Sequence, residues 1–81
     1  MTRAEREQTS SVFRHTFAKM QPVMLRANGP MTAKDLAEAT SYALGTIRKA
    51  LAEARTNGHV TAVYHPGRAS EWKLTDAGRN L

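Results

Sequence analysis

Residues 31–60, MTAKDLAEATSYALGTIRKALAEARTNGHV, carry helix start and stop signals at short intervals, and the rest of the chain falls into place around them. Thr32 offers a hydroxyl to cap a helix, and Asp35 stands three residues later in the reciprocal position of a capping box. A helix is therefore predicted from Ala33, with Ala33, Leu36, Ala37 and Thr40 as a narrow stripe about two turns long. Ser41 is placed to cap the next helix, in which Leu44, Ile47, Leu51 and Ala54 recur at helical spacing and face a core. Arg55 near its end and the Asn57-Gly58 pair supply the C-terminal signals. The turn between the two helices is only about three residues, the length that joins two helices at a steep angle.

Working outward, the period changes after Gly58. Val60 to Tyr64 is rich in β-branched and aromatic residues and too short for a helix, so it reads as a strand. His65-Pro66-Gly67-Arg68-Ala69 is a turn cluster. Ser70 to Thr75 returns as a second strand, with Trp72 and Leu74 on one face and Glu71 and Lys73 on the other. Thr75-Asp76-Ala77-Gly78 closes the hairpin, and a terminal helix can begin in the short tail that follows to Leu81. Upstream, Val12, Phe13, Phe17, Met20 and Met24 form one helical stripe that stops at Asn28-Gly29-Pro30. Pro22 lies inside that stripe and predicts a break near Met20 and Gln21. The expected fold is mainly α with a small β-hairpin, three to four helices plus a two-stranded wing: a winged helix-turn-helix.

Residues 22–79 resemble the winged helix-turn-helix domains of bacterial and phage transcriptional regulators, including MarR-like and PadR-like proteins. The resemblance rests on Leu36-Ala37, on Thr46-Ile47-Arg48-Lys49 with Leu51, on Gly58 and Val60, and on Leu74-Thr75 with Gly78. Ala54 departs from it, standing where such domains usually place a Leu, and the long flanking helices through which MarR-like proteins dimerise have no counterpart in this reading. The length fits a small phage or plasmid regulator better. Residues 22–81 are accordingly expected to form the winged domain. Residues 1–21 are expected to comprise an N-terminal segment, unassigned over its first nine residues, and an extra helix from Ser10 whose Val12, Phe13 and Phe17 pair two copies; folding back over Trp72 and Tyr64 is the alternative.

Composition narrows the function. The chain has 81 residues, 12 Lys and Arg against 7 Asp and Glu, a formal charge of +5, and no Cys. That is room for one small core and a surface attractive to polyanions. Disulfides and thiolate chemistry are excluded, no apolar run approaches the length of a membrane span, and a cytoplasmic location is expected. His15, His59 and His65 are too scattered for a metal site and are expected at the surface, and no nucleophile–base arrangement or Gly-rich phosphate loop stands out. An enzyme, a cofactor and a metal are therefore not expected.

The resemblance implies that the helix after Ser41 enters the major groove of double-stranded DNA. Tyr42, Ala43, Gly45, Thr46, Arg48 and Lys49 lie on the outward arc of its N-terminal half. Arg48 and Lys49 suit guanine, Thr46 suits a phosphate or a thymine methyl, and Gly45 permits close backbone approach. Ser41, with Thr40, sits where free amides favour a phosphate. Arg68 at the hairpin tip suits a narrow minor groove. The expected function is sequence-specific DNA binding by a transcriptional repressor acting as a homodimer or cooperative array. The alternatives are a DNA-binding adaptor in replication, partition or packaging, and a winged-helix module that binds protein.

Overall fold

The Thr32 hydroxyl accepts from the Asp35 amide at 3.1 Å, and the Asp35 carboxylate accepts from the Thr32 amide at 3.1 Å. The capping box read from the sequence is thus closed in both directions. The computed structural model describes the backbone of residues 3–81 and the side chains of residues 15–81. Its elements run in the order α1 (Arg3–Ala27), β1 (Met31–Thr32), α2 (Ala33–Thr40), α3 (Leu44–Thr56), β2 (Val60–Val63), β3 (Glu71–Leu74) and α4 (Asp76–Arg79). The protein is mainly helical with a small antiparallel sheet.

That sheet has three strands rather than the expected two, in the order β1-β3-β2. Met31 pairs with Trp72 and Thr32 with Glu71 on one edge of β3, while Val60 to Val63 pair with Leu74 to Glu71 on the other. A strand of two residues carries no alternation from which it could have been read.

Helix α1 also differs from expectation, because it runs unbroken through Pro22. Pro22 and Ala18, four residues apart, are both exposed, so the Ala18 carbonyl deprived of its amide partner is left on the wet side of the helix. Asn28 rather than Gly29 takes the left-handed conformation at the helix end, with φ 51°.

The core lies where α1, α2 and α3 meet the sheet. Phe17, Met20 and Met24 of α1 pack with Leu36 of α2, with Ile47, Ala50, Leu51 and Ala54 of α3, and with Val60 and Leu74 of the hairpin. Phe17 is therefore committed within the chain, and its ring stands 5.7 Å from that of His59, tilted at 42°. His59 is half-buried, not a surface residue. Val12 and Phe13 lie outside the described side chains. Tyr64 is 75 % exposed, so α1 does not cover it. Leu44, expected in the core, is 37 % exposed, and Ala50 holds the place nearer the centre of the apolar face.

The C-terminal turn is tied down from two sides. The Thr75 hydroxyl caps α4 by accepting from the Gly78 amide, and Gln21 of α1 donates to the Gly78 carbonyl at 2.7 Å and to the Leu81 carbonyl at 3.2 Å. Gly78 is pressed so close to the start of β2 that a Cβ there would lie 1.9 Å from the His59 carbonyl oxygen. Among the described residues, no helix is long and apolar enough to cross a membrane.

Candidate nucleic-acid interface

Helices α2 and α3 are joined by Ser41, Tyr42 and Ala43, and this turn sets how α3 is presented. Ser41 does not cap α3 as expected. It closes α2 in the left-handed conformation, with φ 65° and ψ 12°, which lets the chain reverse within three residues. Thr40 stitches the turn: its hydroxyl donates to the Leu36 carbonyl at 2.7 Å and accepts from the Tyr42 amide at 3.4 Å. The cap of α3 is Ala43, whose side chain makes no capping bond. The first amides of α3 therefore keep their donor capacity at the positive end of the helix dipole.

The buried residues of α3, Ile47, Ala50, Leu51 and Ala54, fix its outward side. Gly45, Thr46, Arg48 and Lys49 are all exposed in its N-terminal half, as are Ser41 and Ala43 before it. A Cβ on Gly45 would meet nothing within 4 Å. Tyr42 is the exception in this set, being half-buried and packed against the core.

The turn after β2 brings Arg68 into a local network. Its amide donates to the His65 carbonyl at 3.3 Å, and Nη2 of its guanidinium lies 3.3 Å from His65 Nδ1. The other ring nitrogen of His65 contacts the Glu71 carboxylate, so His65 is half-buried and partnered, where an exposed residue was expected. Arg68 itself is exposed. Its neighbours Ala69 and Ser70 share a groove with Leu44 and Arg48, which puts the hairpin's return beside the N-terminal half of α3.

Arg48, Lys49 and Arg68 make no ion pair with a carboxylate among the described residues. No acidic residue lies in the first turn of α3. The described residues contain no group of three or more His, Asp or Glu placed to hold a metal ion.

No protein-family model matches the chain, and no curated protein matches its sequence.

Proposed function

We propose that the protein is a sequence-specific double-stranded DNA-binding regulator of transcription with a winged helix-turn-helix architecture. In this reading α3 lies in the major groove, β2 and β3 form the wing, and Arg68 reaches the adjacent minor groove. The observation that carries it is a set of exposed cations without carboxylate partners among the described residues: Arg48 and Lys49 on the N-terminal half of α3 and Arg68 in the hairpin turn, with Arg48 in the groove that α3 shares with the hairpin's return. A protein-binding helix would be expected to present an apolar outward face, whereas this one, beyond Leu44 at its start, presents Gly45, Thr46, Arg48 and Lys49.

Ser41 and Ala43 approach the backbone at the start of α3, Thr46 and Lys49 reach base edges, and Gly45 lets the helix come close. Tyr42 contributes chiefly by holding the turn against the core. One module of this size covers only a few base pairs, so two copies are expected on each site. The experiment is selection of bound duplexes from a random pool. An enriched motif whose binding weakens with salt supports the reading, and its repeat spacing reports the arrangement of copies. Recovery of unenriched sequence, or no salt-sensitive binding, overturns it.

A further inference from the structure

Leu44 is an aliphatic residue left exposed, and the groove it lines says what it is exposed to. The groove is open to solvent and offers about 470 Å³ between the helices and the return of the hairpin. Its walls include Ala33 and Lys34 of α2, Leu44 and Arg48 of α3, and Ser70 and Trp72 beside or within β3. Among the described residues, no carboxylate lines it. Trp72 is packed against the core and only half-buried, so indole and leucine surface is left facing a space edged by two cations.

A surface that alternates apolar contact with positive charge matches a sugar–phosphate strand, whose deoxyriboses present C–H faces between charged phosphates. The position of the groove makes the same demand. With α3 in a major groove and Arg68 in the neighbouring minor groove, the strand dividing those grooves has to cross between α3 and the hairpin.

We propose that this groove seats one sugar–phosphate strand of DNA. Lys34 and Arg48 pair with its phosphates, the Ser70 hydroxyl donates to a phosphate oxygen, and Leu44 and Trp72 lie against deoxyribose. The inference rests on the DNA-binding reading and goes beyond it in dividing the labour on α3. Successive helical residues are turned by about 100°. Arg48, facing the groove, is therefore a backbone contact, while Lys49 is left to read bases.

The test is fluorescence anisotropy across a range of salt, using one mixed-sequence duplex and one duplex recovered by selection. Lys34→Ala and Arg48→Ala are each expected to lower the slope of log affinity against log salt by about 0.9 on both duplexes, with base preference unchanged. Arg48→Lys should restore the slope, because a point charge suffices for a phosphate but not for a bidentate base contact. Leu44→Asp, which sets a carboxylate against the strand, should weaken binding to both duplexes. Lys34, Leu44 and Arg48 are exposed, and circular dichroism checks that each variant keeps its fold. Unchanged slopes for Lys34→Ala and Arg48→Ala, with wild-type binding intact, overturn the groove assignment and leave the DNA reading standing. The same holds if Arg48→Lys keeps the slope lowered and loses preference at one base pair. No binding of either duplex by the wild type overturns both.

Discussion

Replacing Gly45 by Ala adds one methyl group on the outward side of α3, and if the protein binds DNA as proposed, stability and DNA affinity should move in opposite directions. The new Cβ meets no atom of the protein within 4 Å, so the fold pays no steric cost. Gly in a helix is less stable than Ala by roughly 0.5–1 kcal/mol. In a domain this small, that gain raises the melting temperature by about 2–8 °C. If DNA meets the helix backbone here, the methyl holds the two surfaces apart, and affinity for the selected duplex falls by about tenfold, or ~1.4 kcal/mol. Thermal melting followed by circular dichroism gives the first quantity and anisotropy titration the second. A higher melting temperature with unchanged affinity would refute the close approach of DNA at Gly45, and a lower melting temperature would refute the open helical geometry itself.

Gly78→Ala should do the reverse, since its Cβ would fall 1.9 Å from the His59 carbonyl oxygen and 2.9 Å from the carbonyl carbon, both backbone atoms. Moving α4 away costs about 1–3 kcal/mol of overpacking. It also endangers the Gln21 bond to Gly78 and the Thr75 amide bond to His59, at about 1 kcal/mol each. Urea denaturation should show a loss of about 3–5 kcal/mol, against a total of roughly 4–12 kcal/mol for a chain of this length; an unchanged midpoint would contradict the close packing. Gln21→Ala removes only the side-chain bonds and should cost about 1 kcal/mol, with faster amide exchange in α4 as the local readout. Arg68→Ala should lower the salt slope by about one counterion and weaken binding more on A·T-rich flanks; no effect at any salt concentration would make the hairpin purely structural. Sedimentation of the intact protein on a selected duplex should show two copies per site, and saturation at one copy would remove the assembly expectation.

The legible parts of the fold were those that rest on local chemistry. The Thr32–Asp35 capping box, the spacing of Ile47, Leu51 and Ala54, and the left-handed Gly58, with φ 79°, each follow from neighbours in sequence. What could not be read depends on partners far along the chain. Pro22 reads as a break because its lost bond counts locally, whereas the helix continues because that bond falls on the exposed side and Met20, Val23 and Met24 hold the other. Strand β1 exists only because Trp72 and Glu71 are there to pair with it. Ser41 carries the side chain of a cap, but the three-residue reversal needs a residue in the left-handed region, and that demand moved the cap to Ala43. At the candidate site, the exposure of Gly45, Thr46, Arg48 and Lys49 follows from the apolar spacing. The groove does not, since it is formed by residues of β1, α2, α3 and β3 together with the turn before β3.

The distribution of charge links these two levels. Of the acidic side chains described, Asp35 is held in the cap of α2, Glu71 contacts His65, and Asp76 sits in the first turn of α4, where a helix dipole favours it. Glu38 lies on α2 and Glu53 in the C-terminal half of α3. None falls between Leu44 and Lys49. Three carboxylates thus stabilise caps and the hairpin, while Lys34, Arg48, Lys49 and Arg68 are not drawn into ion pairs with carboxylates among the described residues. A net charge of +5 would be weak evidence if the cations were evenly neutralised. Here the fold engages Asp35 and Glu71 in local contacts, leaving Lys34 and Arg48 in the groove shared by α3 and the hairpin's return and Lys49 and Arg68 exposed. The same local contacts that cap α2 and brace the hairpin thus leave Lys34, Arg48, Lys49 and Arg68 without carboxylate partners among the described residues.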